Sequence, residues 1–395
     1  MALPQLEQRL VDRRMIVCVG PGGVGKTTFA ASLALRAAQL GQKVACLTID
    51  PARRLGDALG IGTTAGDDVN LQTSLRADDT LHDVTSLVTQ IGGTGALHVG
   101  MLDAQRTFDS VIRCKSSSPH RAEKILNNRL YRYVSGSLSG MQEYMALERL
   151  CQLRENNNYD LIVLDTPPSD NVVDFFSAPS RMRNALDGPL VRMMRKVYSG
   201  SGNSGADLLG RWALGVFNVL SRITGAHLLD EMIEFVDALS DLFGNFSQRA
   251  AQIEEMLQGN AVEVIMVTRA DSASAHETMG LQKILEQNGF HVDGLVFNQC
   301  TYPEVATDLP DALCEPCRLE MQHINHDWNM IYKREQQIVA EVLENSAFEC
   351  VCIIPLLPFN RNRLDMLLHI WSSLVPATKN ESSADTTDHS KSKGA

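Results

Sequence analysis

Short runs with strand character, most of them largely apolar, recur along this chain, separated by longer segments in which apolar residues return at helical spacing. The runs are Met15 to Val19, Lys43 to Ile49, Asp160 to Leu164, Val262 to Thr268, Val292 to Phe297 and Cys350 to Ile354. Continuous rather than alternating apolar runs fit parallel strands buried on both faces. After the first run, Phe29, Leu33, Ala34 and Ala37 repeat with a helical period, and Gly41 stops the helix. Leu3 to Arg14 reads as a short leading helix. Residues 61 to 85 are polar and predict loops around a short edge strand near Leu71 to Leu75. From about Leu87 to Gln152 the pattern is helical, with breaks at Ser118 and across Ser135 to Gly140. Val172 to Leu257 is a second, longer helical stretch, interrupted by the linker-like SGSGNSG from Ser199 to Gly205. Leu208, Leu209, Trp212, Ala213, Val216, Phe217 and Leu220 form one apolar stripe there, and Leu228 to Leu239 carries another.

Strands alternating with helices predict an α/β fold, with a mainly parallel central sheet flanked by helices and an inserted helical subdomain. The expected layout is one domain over residues 1–375. Its core covers 14–85, 157–180 and 259–375, with helical insertions at about 86–156 and 181–258. The remaining 376–395 are nearly devoid of apolar residues and are expected to be disordered.

The chemistry concentrates at strand ends. Immediately after the first run stands Gly20-Pro21-Gly22-Gly23-Val24-Gly25-Lys26-Thr27-Thr28. The spacing of Gly20, Gly25, Lys26 and Thr27 is that of a P-loop, whose backbone N–H groups cradle phosphates at a helix N-terminus. Lys26 is expected to reach the β- and γ-phosphates, and the Thr27 hydroxyl to bind Mg²⁺. The strand before the loop and the helix after it supply the context that the motif needs. The third run ends at Asp165 in LIVLDTPPSDN, a Walker B pattern whose carboxylate holds Mg²⁺. The second run ends at Asp50, at the sheet edge where open α/β sheets bind ligands. An aspartate is a weak base at pH 7, so Asp50 is better suited to positioning water than to deprotonating it. Asp followed by Pro is also a good helix start.

Length, charge and cysteine usage narrow the class. The 395 residues suffice for one large or two ordinary domains, and 44% hydrophobic with 21% charged is a globular balance. No run of about 20 apolar residues exists to span a bilayer. A net charge of −11 argues against nucleic acid as a partner. Nine cysteines, an odd number, and no apolar signal core at the N-terminus point to free thiols in a reducing cytoplasm.

The P-loop, the DPA turn at Asp50, the DTPP turn at Asp165 and CEPC at Cys314 to Cys317, in this order, resemble the arsenite-pump ATPase family. That family includes the ATPases that escort tail-anchored membrane proteins. TIDPARRLGDAL from Thr48, LDTPPSDNVVDFF from Leu164, VFNQ from Val296, CEPCRLEMQ from Cys314 and IPLLPFNRNRL from Ile354 carry the likeness. It extends from Met15 to about Trp371, and some segments are similar to bacterial members. The resemblance implies a nucleotide-switched homodimer that hydrolyses ATP with Mg²⁺. It implies that Asp50 polarises the attacking water, and that the Asp50 and Asp165 turns are switch loops. It places adenine near Asn298 and the loop beginning at Pro355. The apolar stripes between Leu208 and Leu239, with Met182, Met193, Met194 and Met232 nearby, fit either core faces of packed helices or a groove for a hydrophobic client helix or membrane-protein partner, with the protein cytoplasmic and peripheral to the membrane. Two other roles share these loops: catalytic subunit of an arsenite or anion efflux pump, and a partition or positioning switch.

Two departures change the picture. The family's P-loop commonly carries a second lysine where this chain has Pro21, and DPARR stands where DPAHN is common. Arg53 and Arg54, three and four residues past Asp50, are therefore candidates for the missing counter-charge on the γ-phosphate, with Arg53 preferred. One CxxC supplies two thiolates, whereas structural zinc takes four ligands. His323 and His326 lie six and nine residues beyond Cys317, about 240° and 180° round a continuing helix. Zinc is therefore expected only where Cys314 and Cys317 meet a second CxxC across a dimer.

Overall fold

The computed structural model describes residues 2–49, 54–61, 81–128, 131, 140–167, 169–186, 246–301, 314–346, 348, 350–357 and 362–377. The expected edge strand at Leu71 to Leu75, the linker and stripes from 199 to 239, and residues 378–395 lie outside them.

Nine strands form one sheet: β1 (Met15–Val19), β2 (Lys43–Thr48), β3 (His82–Asp83), β4 (Ala96–Met101), β5 (Leu161–Asp165), β6 (Val262–Thr268), β7 (Gly294–Cys300), β8 (Cys350–Pro355) and β9 (Val375–Pro376). Their order is β3-β4-β2-β5-β1-β6-β7-β8-β9. The seven inner strands run parallel, and the two-residue edge strands β3 and β9 pair antiparallel. β1 is entirely buried between β5 and β6, with Cys18 opposite Asp165 on one side and Ile265 on the other. Chain direction across the sheet reverses at this strand, and such a switch point opens a crevice outside the carboxyl ends.

The helical reading of residues 87–152 needs correction at β4, and so does the reading of 86–156 as a wholly helical insertion. The sequence ALHVGM has no continuous apolar run, since His98 and Gly100 interrupt it. It is nevertheless a strand, because Lys43–Thr48 offers six residues of parallel pairing and tertiary context overrides local propensity. Gly100 fits there because a Cβ would run into the Leu81 side chain. At the far end, Pro376 belongs to β9, so order extends just past the expected limit of 375.

Helices cover both faces of the sheet. They are α1 (Ala2–Asp12), α2 (Lys26–Gln39), α3 (Arg54–Leu59), α4 (Thr85–Gln90), α5 (Ala104–Lys115), α6 (Pro119–Asn127), α7 (Met141–Glu155), α8 (Ser169–Leu186), α9 (246–258), α10 (Ser272–Gln287), α11 (Glu315–Asn345) and α12 (Arg363–Ser372). One core gathers α2, α12 and α1 against Ile16, Cys18, Val44 and Cys46. The opposite core gathers α5 to α10 against Met15, Val17, Ala45 and Leu47. Residues successive along each strand thus feed different layers. Helix α1 is clasped to the first layer by Glu7, which accepts from Arg36 Nη2 at 2.6 Å and from Trp371 Nε1 at 3.1 Å. In the second layer Arg249 joins α9 to α7 through Glu148 Oε2, 2.8 Å away.

Helix α11 differs from the rest. Its 31 residues span about 46 Å at 1.5 Å per residue. Only Ile338, Val339, Val342 and Leu343 near its C-terminal end are buried. Among the described residues, no helix is long and apolar enough to cross a membrane.

Candidate nucleotide-binding site

The turn after β1 is shaped by close backbone approach. Gly20 has φ 142°, and a Cβ there would run into the Val267 carbonyl of β6. Gly25, at φ 95°, is the N-cap of α2, and a Cβ there would meet the Asn298 amide. Asn298, buried on β7, donates from Nδ2 to the Val24 carbonyl at 2.8 Å and holds the loop from the sheet side. Pro21 and Val24 are buried, whereas Gly22 and Gly23 are exposed. The loop thus turns its backbone outward while its apolar side chains anchor it.

Lys26 and Thr27 open α2. The buried Lys26 ammonium donates to the carbonyls of Gly20 at 2.9 Å and Pro21 at 2.7 Å, and so spans the loop. The Thr27 hydroxyl donates to Asp165 Oδ2 at 2.7 Å, and Thr48 of β2 reaches the same oxygen at 3.2 Å. Asp165 is 1% exposed. These contacts unite residues from the ends of β1, β2 and β5. Behind Asp165, burial first and the carboxylate second push the Cys18 and Cys46 thiols up, so neither is a thiolate near neutral pH.

A cavity of about 360 Å³ lies over this turn. Gly25 to Thr28 form one wall, and Asp57 and Ala58 of α3 form another. Thr166, just past β5, and Arg363 and Met366 of α12 complete it. It lies at the N-terminus of α2, whose first-turn N–H groups have no partner within the helix. Exposed loop glycines, a helix N-terminus and a lysine fit polyphosphate. The adjacent Thr27 and Asp165 fit Mg²⁺, which takes few protein oxygens and keeps its water.

Not every expected residue joins this cluster. Asp50 and Arg53 lie outside the described residues. Pro355 ends β8, where its Cα pairs with that of Cys300. Cys314 and Cys317 are exposed at the start of α11, with their sulfurs 2.7 Å apart. The Cys317 contact holds the Cys314 thiol below its ordinary range and raises Cys317 in turn. His323 and His326 are exposed on the same helix. Among the described residues no three His, Cys, Asp or Glu side chains group to hold a metal. Sequence reasoning missed Asp57, Arg363 and Met366. The signals were the segments TIDPARRLGDAL and IPLLPFNRNRL, which contain Asp57 and Arg363, and Asn362, an N-cap residue directly before the last helical run.

A buried lysine and a Thr–Asp pair under a glycine cradle, at the switch point of a parallel sheet, define a P-loop nucleoside triphosphatase. The chain belongs to the anion-transporting ATPase family, whose model matches residues 13–342, and it is an ATPase. It is 23% identical over 332 residues to ATPase GET3 of Malassezia globosa, covering 80% of this chain and 81% of that protein. ATPase GET3 of Paracoccidioides lutzii is 23% identical over 364 residues, 85% of this chain and 89% of that one. An ATPase ASNA1 homolog of Plasmodium yoelii yoelii is 24% identical over 306 residues, 77% and 66% respectively.

Proposed function

We propose that this ATPase is a nucleotide-switched homodimer that binds a hydrophobic segment of a membrane protein, in the manner of the tail-anchored-protein escorts it resembles. The observation that carries the reading is the contact of Thr27 with Asp165, which joins the end of β5 to the first turn of α2 and would couple it to a nucleotide bound there. A switch of this kind needs the site and the second loop to share a group. The relatives named ATPase GET3, matched over most of both chains, support the choice of client. The proposed organisation is a single ATPase core with insertions, with β4 counted in the core sheet and the ordered part running past 375.

In this reading Gly20 to Thr28 bind the phosphates, and Asn298 and Pro355 border the adenine. Thr27 and Asp165 would hold Mg²⁺, which would supply positive charge against the phosphates. Lys26 stabilises the charge that develops as the γ-phosphate departs. Asp50 orients water for in-line attack, and Arg53 supplies the counter-charge absent at Pro21. Cys314 and Cys317 meet a second CxxC across the dimer and share zinc with it. The protein works in the cytoplasm and at the membrane surface.

The test is Asp50→Asn, which should bind ATP without hydrolysing it and so hold its client. Partners retained by that variant with ATP are identified by mass spectrometry. Membrane proteins with one hydrophobic helix are the expected result. The family's description favours a second reading, the catalytic subunit of an anion efflux pump. It requires a third soft ligand beside Cys314 and Cys317. Recovery of a membrane pump alone, with arsenite-stimulated turnover, would establish that reading instead.

A further inference from the structure

We propose that Arg363 is a nucleotide-binding residue whose guanidinium grips the α-phosphate and offsets the carboxylate of Asp57. This rests on the turn after β1 being the phosphate cradle. Helices α2 and α12 follow the parallel strands β1 and β8 and share one core on one face of the sheet. They therefore run side by side in the same direction. Their offset is set by Ser32 Oγ, which donates to the Leu367 carbonyl at 2.8 Å. One turn back toward both N-termini lie Thr28 and Arg363, and both line the cavity.

Position along the cradle selects the phosphate. Lys26 belongs to the β,γ end and Thr27 faces Asp165, so the cradle's α-phosphate end lies toward Thr28. Arg363 is exposed and begins α12, so its side chain has solvent-filled space in which to turn toward the cavity. Helix α3 ends against it, since a Cβ on Gly60 would lie 3.6 Å from Arg363 Cβ. The same helix brings Asp57 into the cavity wall. A carboxylate beside a triphosphate repels it unless a cation stands near. The planar guanidinium fork matches two phosphate oxygens as a lysine does not.

The experiment is equilibrium binding of Mg²⁺ with ATP, ADP and GTP to the purified protein and its variants. Arg363→Ala should weaken ATP and ADP alike by about tenfold, roughly 1.4 kcal/mol, because both carry the α-phosphate. GTP should weaken by the same factor, since the contact ignores the base. Arg363→Lys should lose less. Asp57→Asn should bind more tightly than the native protein and should restore part of the loss in Arg363→Ala. Unchanged ATP and ADP affinity in Arg363→Ala overturns the proposal. So does a loss confined to ATP, which would put the group at the γ-phosphate, or one that spares GTP, which would put it at the base. If the native protein binds no nucleotide, the cradle itself fails and this proposal with it.

Discussion

The turn after β1 and the start of α11 both carry a short glycine- or cysteine-containing motif, yet their surroundings differ completely. The turn is braced on every side: Gly20 against Val267, Val24 against Asn298, Lys26 against two carbonyls. Cys314 and Cys317 stand exposed at the tip of a helix whose buried residues lie more than five turns away. A braced motif arrives with its geometry set, so its ligand does not have to order it. Among the described residues no further metal-binding side chain groups with the exposed pair, and two thiolates fall short of a structural zinc site. The contrast is between a motif held by its own chain and a pair for which a second copy is proposed.

The largest test of that contrast is Gly20→Ala. A methyl group there meets a backbone carbonyl that cannot move without disturbing β6. Urea unfolding should show a loss of about 3 kcal/mol or more, or no folded protein. Retention of native stability would mean that the turn is not braced. Asn298→Ala is milder. It removes one hydrogen bond to Val24 and should cost about 1 kcal/mol in the same measurement, with a raised KM for ATP. If ATP affinity is unchanged, the sheet-side anchor has no part in nucleotide binding.

Much of this was legible in the chain, and for identifiable reasons. The P-loop and Asp165 announce themselves because strand, loop and helix each leave a local signature within a few residues. Strand β4 does not, because His98 and Gly100 break its apolar run and only pairing with β2 makes it a strand. Arg363 and Asp57 were hidden for a related reason. Their place in the cavity depends on how α3 and α12 pack on α2, roughly 30 and 335 residues apart in sequence from it, and no local pattern encodes that.

The smallest expected effect lies at the exposed pair. Cys314→Ser with Cys317→Ser should change the stability of the metal-free monomer by less than about 0.5 kcal/mol, as for an ordinary surface substitution. The same double variant should lose zinc and the zinc-dependent dimer together, read by metal analysis and light scattering. Native protein holding one zinc per monomer while monomeric would remove the contrast.

The central claim is that the turn after β1 performs ATP hydrolysis, and Lys26 tests it most directly. Steady-state phosphate release by purified protein with Mg²⁺ and saturating ATP is compared with that of Lys26→Ala, with the fold of both checked by circular dichroism. The expected result is measurable turnover for the native chain and a fall of about 10²-fold or more in a folded variant. Equal turnover in the two would contradict the account.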